Sequence, residues 1–342
     1  MKAIGYLVSQ GITEQDSLVD IELPMPVAAG RDLLIKVNAI SVNPVDTKVR
    51  QRAQPENGKY KVLGWDAVGE VVAVGEQVEF YQPGDRVWYA GDLTRQGTNA
   101  EYHLVDERIV GHAPKSLSDG EAAAMPLTTI TAWEVLFDRL GIQQKSVNGG
   151  TSKPEQVLVI GAAGGVGSII VQLAVKLTDA VVIGTASRAE SQQWVKDRGA
   201  DFVIDHRQPL NEELKRIGLD TVSHVVSLNG TDQHFDAIVE SIAPQGKLAL
   251  IDDPETPLDI MKLKMKSVSL HWEFMYTRSM FNTPDIAKQR DLLNEVAGLI
   301  DAAEIKTTRG EHFGPINAEN LKRAHLAVES GTVIGKIVLE GF

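Results

Sequence analysis

Two periods of apolar residues run along the chain, and the place where one gives way to the other divides it. Through roughly the first hundred residues the apolar positions form short alternating or β-branched runs broken by turn residues, as in Leu33-Leu34-Ile35-Lys36-Val37 and Val68-Gly69-Glu70-Val71-Val72-Ala73-Val74-Gly75. That spacing predicts a small, curled β domain. Pro24-Met25-Pro26 and Gln82-Pro83-Gly84-Asp85-Arg86 read as turns, the second resetting the chain before Val87-Trp88-Tyr89-Ala90. From Ser118 the pattern changes. Ser118-Asp119-Gly120-Glu121 has the form of a capped helix start, with Glu121 three residues after the cap. Helix-forming residues then fill 122–140, and Pro126 is expected to divide that stretch into two helices.

Farther on, residues 157–160 form a continuous, β-branched apolar run suited to a strand covered on both faces, and 168–177 suit a mostly buried helix. Strands and helices then alternate over 180–186, 190–198, 202–205, 222–228, 235–242 and 247–251, which predicts a doubly wound parallel sheet. Residues 268–274 are expected to add its last strand, and 286–303 form an amphipathic helix. The end, Thr332-Val333-Ile334-Gly335-Lys336-Ile337-Val338-Leu339, reads as a strand that returns to the β domain. The polar stretch Asn148-Gly149-Gly150-Thr151-Ser152-Lys153-Pro154 lacks the residue order of a phosphate-binding loop and is read as a surface connection.

Composition changes this picture mainly by exclusion. The 342 residues, 43% of them hydrophobic, suffice for two packed domains. A net charge of -12 argues against nucleic acid or an anionic membrane as partner. The absence of cysteine removes disulfides, thiolate catalysis and cysteine-ligated zinc. Met1-Lys2-Ala3-Ile4 leads straight into a strand pattern and no window is apolar enough to span a bilayer, so a cytoplasmic protein is expected.

The candidate chemistry begins at Ala162-x-Gly164-x-x-Gly167, between strand and helix. Residues without side chains let a pyrophosphate approach the backbone, and a helix start offers unpaired N–H groups. Gly164, Gly165, Val166 and Gly167 are therefore the expected pyrophosphate cradle; the alternative is a glycine turn that only tightens packing. A site for NAD normally carries Asp or Glu at the end of the second strand. Here Thr185-Ala186-Ser187-Arg188 stands there instead, and a hydroxyl with a guanidinium suits a 2'-phosphate, which favours NADPH. Ser187 is also a candidate helix cap, a role compatible with phosphate binding.

Ser41-Val42-Asn43-Pro44-Val45-Asp46, Leu63-Gly64-Trp65-Asp66-Ala67-Val68-Gly69, Pro83-Gly84-Asp85-Arg86-Val87, Ala100-Glu101-Tyr102, Pro126-Leu127-Thr128-Thr129-Ile130-Thr131-Ala132-Trp133 and the glycine turn together resemble the medium-chain dehydrogenase/reductase superfamily, and within it the quinone oxidoreductase branch and its zinc-type alcohol dehydrogenase-like proteins. The resemblance implies an α/β protein: a GroES-like β-rich catalytic domain over 1–125, completed by 307–342, and a Rossmann domain with a doubly wound parallel sheet over 126–306. It further implies a cleft where the domains meet, and a homodimer or homotetramer.

Zinc-dependent members of the family bind their catalytic metal through a Cys at the position of Asn43, a His at that of Trp65 and a Cys near Ile130, so no metal site is expected here. Asp66, His103 and His112 remain as oxygen or nitrogen donors in no familiar spacing. Without a Lewis acid, hydride from NADPH must go to an electron-poor acceptor, a quinone or an α,β-unsaturated carbonyl. By family position Asn43 orients that acceptor and Asp46 supports it, with a plain turn as the alternative. Thr131 resembles a threonine near the carboxamide end of the cofactor, or serves helix packing. Tyr276 is a candidate proton donor, or part of an aromatic sheet edge or subunit contact. His206 stands where relatives often have a Tyr beside the 2'-phosphate, and Gly335 and Lys336 match a position near the cofactor. Two other readings remain open at this point: an alcohol dehydrogenase with atypical metal ligands, and a protein that binds NADPH without turnover.

Overall fold

The computed structural model describes residues 1–56, 58–145 and 154–342; most of the polar stretch 148–154 lies outside them. The chain forms two compact units, residues 1–130 with 276–342, and residues 131–275.

The first unit opens with β1 (Lys2–Tyr6), β2 (Val19–Glu22), β3 (Asp32–Val42), α1 (Pro44–Arg52), β4 (Lys61–Val62), β5 (Ala67–Val74), β6 (Arg86–Tyr89), β7 (Tyr102–Asp106), β8 (Val110–His112), α2 (Asp119–Ala123) and α3 (Pro126–Trp133). β3 is the long strand on which the rest is built. β5 pairs antiparallel along its length with register shifts at Leu34/Ile35 and Val37/Ala39, and such bulges bend and twist a strand. A curled sheet follows from a chain that alternates inward and outward residues while turning at those two places. Leu33, Ile35, Ile40, Val68, Val71 and Val87 are buried within it. The expected cap holds: Glu121 N–H donates to Ser118 Oγ at 3.3 Å, and the Glu121 carboxylate accepts from Ser118 N–H at 3.0 Å. Pro126 begins the next helix, as expected of a residue without an N–H to give.

The second unit holds β9 (Gln156–Ile160), α4 (Gly165–Leu177), β10 (Val181–Thr185), α5 (Ala189–Asp197), β11 (Phe202–Ile204), α6 (Leu210–Arg216), β12 (Val222–Ser227), α7 (Thr231–Ser241), β13 (Ile242–Leu250) and β14 (Ser269–Trp272). Its sheet has the strand order β11-β10-β9-β12-β13-β14, and every pairing is parallel. This is the doubly wound Rossmann arrangement, with the topological switch between β9 and β12. Leu158, Ile183, Val225, Phe235, Ile238 and Leu248 share its core. Sequence periodicity passed over α6, a seven-residue helix with two buried leucines, too short to show a period.

The chain then returns to the first unit through α8 (Thr277–Met280), α9 (Lys288–Asp301), β15 (Arg309–His312), α10 (Ala318–Glu329) and β16 (Lys336–Glu340). β16 pairs antiparallel with β3, with Ile337 opposite Val42. Where the sequence reading set this return at 307, the contacts place it at 276. The reason is α9: its stripe of Leu292, Leu293, Val296 and Ile300 is buried, Leu293 lies against Gly111 of β8, and Asn294 Oδ1 accepts from His112 N–H at 2.8 Å. An amphipathic pattern identifies a helix with a buried face but not the sheet that buries it.

Candidate active site

In the first unit, the end of β3 and the start of α1 deliver a knot of buried polar groups. Asn43 has extended backbone, φ -120° and ψ 158°, so it continues the alternation of β3 and projects to the same side as Ser41. Pro44 then starts α1, and Asp46 reaches back so that its Oδ2 accepts from Asn43 N–H at 2.7 Å. Asp66 arrives from the turn before β5. Gly64 makes that turn possible, since at φ +111° a methyl group there would lie 2.5 Å from Asn99 Oδ1 and 2.8 Å from Asn99 N.

Asp66 gathers the knot. Its Oδ2 accepts from Ser41 Oγ, Asn43 Nδ2 and Lys336 Nζ, each at 2.8 Å, and its Oδ1 accepts from Leu127 N–H at 2.7 Å. Lys336, brought beside Asn43 by the β16–β3 register, donates as well to Asn43 Oδ1. Asn43, Asp66 and Lys336 are 1%, 0% and 4% exposed. An ammonium can only donate and a carboxylate can only accept, so chemistry fixes which way the Asn43 amide faces. The sequence reading set Lys336 beside the cofactor; the structure brings it together with Asn43, and Gly335, at φ +64°, is the turn that leads into it.

Asp46 is also buried, and its Oδ1 makes no hydrogen bond. Burial pushes its carboxyl up to about 7, against the Asn43 N–H and the Lys336 charge, which pull it down; Asp66 adds to the rise. Tyr276 turns inward, 2% exposed, with its ring edge-on to Trp65 at 6.3 Å and 77°. Burial first, then the charges of Asp46, Asp66 and Asp92, hold its hydroxyl well above the ordinary phenol range. Of the aromatic run before it, Trp272 on the edge strand β14 and Phe274 are exposed, so that part is a sheet edge. Thr131 is buried in α3, where the boundary between the two units falls, and is the first residue of the second unit.

Trp65 and His103 are committed to other partners. Trp65 Nε1 donates to Asp92 O at 3.3 Å. Both ring nitrogens of His103 are engaged, with Tyr89 Oη at 3.1 Å and Gln96 O at 2.8 Å, and burial pulls its pKa down to about 4. His112 is exposed beside the Tyr81 ring. Among the described residues no three His, Asp or Glu side chains are grouped to hold a metal.

In the second unit the glycine turn joins β9 to α4. Gly161 takes φ +83°, and a methyl group at Gly167 would lie 2.5 Å from Gly161 O and 2.6 Å from Ala162 Cα, so Gly167 serves close strand-helix packing. At Gly164, the residue before α4, the nearest atom to such a methyl would be Gly161 O at 3.5 Å. Open space there and the N–H groups of Gly165 and Val166 at the helix start fit a pyrophosphate. Ser187 lies just beyond β10 but does not cap α5: Arg188 N–H donates to Ser191 Oγ at 3.2 Å instead. Ser187 O accepts from Arg207 Nη2 at 2.7 Å, and Arg207 is paired with Asp205. Arg207 thus joins Ser187 and the exposed Arg188 at the sheet's edge. The sequence reading missed it, although a cation directly after His206 at the end of the third strand was the available signal. His206 is half-buried, stands edge-on to His234 at 5.8 Å, and is lowered in pKa by burial.

Two family models match the chain, an alcohol dehydrogenase GroES-like domain over residues 29–116 and a zinc-binding dehydrogenase over residues 198–339. A zinc-type alcohol dehydrogenase-like protein of Staphylococcus aureus is 40% identical over 99% of both chains. A Rhizobium etli protein assigned as a zinc-dependent alcohol dehydrogenase is 53% identical with a TM-score of 0.95, covering 100% of this chain and 98% of the other. The Escherichia coli quinone oxidoreductase, solved with NADPH, is 26% identical with a TM-score of 0.82 over 99% of this chain and 100% of its own. With a GroES-like unit, a parallel Rossmann sheet and this likeness along its whole length, the chain is an oxidoreductase of the medium-chain dehydrogenase/reductase superfamily.

Proposed function

We propose that the protein is a zinc-independent, NADPH-dependent reductase that passes hydride to a quinone or an α,β-unsaturated carbonyl, working as a homodimer or homotetramer. The observation that carries this reading is the ammonium of Lys336, held between Asn43 and Asp66 where zinc-dependent relatives would need metal ligands. The donors on offer are an amide oxygen and a carboxylate oxygen that already accepts three hydrogen bonds. A second cation would face the ammonium at short range in a buried site, and the Coulomb cost there is high. These residues do not fit zinc.

NADPH, when bound, supplies the hydride. Gly164, Gly165 and Val166 would hold its pyrophosphate, with Gly167 setting the turn, and Ser187, Arg188 and Arg207 would face its 2'-phosphate, with His206 beside them. Asn43 orients the acceptor oxygen through the amide N–H that Asp66 does not take. Asp46 keeps a proton near neutral pH in the same buried place, and Tyr276 stays protonated throughout. The NADPH held by the E. coli neighbour supports the choice of cofactor.

The test is loss of reduced-nicotinamide absorbance over a panel of quinones and enones, with NADPH and NADH run in parallel on protein whose metal content has been measured. Turnover with NADPH on metal-free protein is the expected result. Stoichiometric zinc with chelator-sensitive alcohol oxidation would replace the reading by an alcohol dehydrogenase, and tight NADPH binding without turnover would replace it by a binding protein.

A further inference from the structure

We infer that Lys336 is a positioning residue that turns Asn43 into an oxyanion donor, doing electrostatically what a metal does in zinc-dependent relatives; the inference rests on the reductase reading above. Asn43 Oδ1 accepts from Lys336, and one Nδ2–H is given to Asp66. The chain ammonium, amide, carboxylate therefore runs in one direction. Hydrogen bonds in such a chain polarise one another, and an ammonium on the amide oxygen draws electron density from the nitrogen. Two donor hydrogens are left over in the knot, the second Nδ2–H of Asn43 and the third Nζ–H of Lys336. Neither side chain can rotate without breaking a buried hydrogen bond to Asp66. Donors fixed before reaction, in a site shielded from water, are the arrangement that stabilises developing negative charge on oxygen. A quinone or enone gains such charge when it takes hydride.

The bond from Lys336 satisfies the buried Asn43 Oδ1 and, with the bond from Nδ2 to Asp66, sets the amide so that its second Nδ2–H is the donor left over.

The test compares wild type with Lys336→Met and with the double variant Lys336→Met/Asp66→Asn. The double variant removes both buried charges together, so that no uncompensated charge is left in the knot should the single variant fail to fold. Steady-state kinetics with NADPH should show kcat lower by about ten- to a hundredfold, as when one oxyanion donor is lost, with the Kd for NADPH unchanged. The loss should be larger for a simple enone than for a benzoquinone, because the weaker acceptor leans more on the donor. Equal rates in the folded double variant would overturn the inference. A second arm needs no turnover: a nitrophenol that titrates near neutrality is bound with and without NADP+, and its ionisation is read by absorbance. Wild type should favour the phenolate and the double variant should not; the same preference in both would overturn the inference. If wild type reduces nothing in the panel yet holds the phenolate through Lys336, the reductase reading fails and the donor assignment stands.

Discussion

Asp46 is a carboxylic acid on the first turn of a helix, where a negative charge is ordinarily welcome, yet burial lifts it to about 7. In the unfolded chain it ionises near 3.8, so as pH rises from about 4 to 7 the unfolded state loses a proton that the folded state keeps. The group therefore subtracts stability progressively over that window, by about 1.4 kcal/mol per pH unit. Asp46→Asn keeps an oxygen for Asn43 N–H and removes the titration. Its unfolding free energy should change less between pH 5 and pH 8 than that of wild type, by on the order of 2–4 kcal/mol in urea titrations; an unchanged difference would show that Asp46 ionises freely. At the other end of the chemistry, Arg188→Ala should weaken NADPH binding by about ten- to a hundredfold and NADH binding by less than about threefold in fluorescence titrations, the cost of one charge-assisted phosphate contact. Equal losses would remove the 2'-phosphate from this side chain.

Between strand and helix, the glycine turn joins β9 to α4, and its glycines have separable tasks. At Gly167 a methyl group meets backbone atoms at 2.5 Å and 2.6 Å, which cannot yield without moving the strand from the helix. Gly167→Ala should lower stability by roughly 1–3 kcal/mol, read as a fall in Tm. Gly164 has φ -74°, which any residue adopts, and its nearest neighbour is 3.5 Å from the added methyl. Gly164→Ala should leave Tm within about 2 °C of wild type and, on the proposed placement of the pyrophosphate, weaken NADPH and NADH alike. A loss of Tm in this variant with nucleotide binding intact would reverse the assignment. The motif spells out three small residues without saying which is needed for packing; the distances assign that task to Gly167 and leave space at Gly164.

Across the whole molecule, buried histidines and buried acids pull the pH optimum of stability from opposite sides. Burial lowers His325 to about 3 and His103 and His224 to about 4, so below their ordinary 6.5 the unfolded chain takes up protons that the fold refuses, and stability falls as pH drops. Asp46 and Glu273 act oppositely. Glu273 is driven far up by burial and by Glu134 beside it, and stability falls as pH rises through the range where the unfolded chain ionises and the folded carboxyls do not. Well below pH 6.5 three histidines outweigh two acids; above about 7 Glu273 remains. Unfolding free energy should therefore peak at about pH 6 to 6.5. His325→Leu, at a site where neither ring nitrogen has a partner, should flatten the acid side of that curve. An optimum below pH 5 would mean that these histidines are not held neutral.

Much of the fold was legible in the chain because it is written locally. A β-branched run into a glycine turn, a capping box at Ser118 and a strand at the end each depend on neighbours within a few residues, and the all-parallel sheet follows from strands and helices taking turns. The candidate cofactor turn was legible for the same reason, since backbone approach and helix start are properties of one short segment. The buried knot was not. Asn43 and Asp66 could be singled out, but that Lys336, 293 residues beyond Asn43, would place its ammonium between them depends on the register of β16 against β3. The side on which α9 packs and the closeness of Arg207 to Ser187 were settled the same way. Sequence specifies which groups are available and what local geometry each prefers; whether a charge is paired, a proton held or a donor left over depends on which distant segment is packed against it.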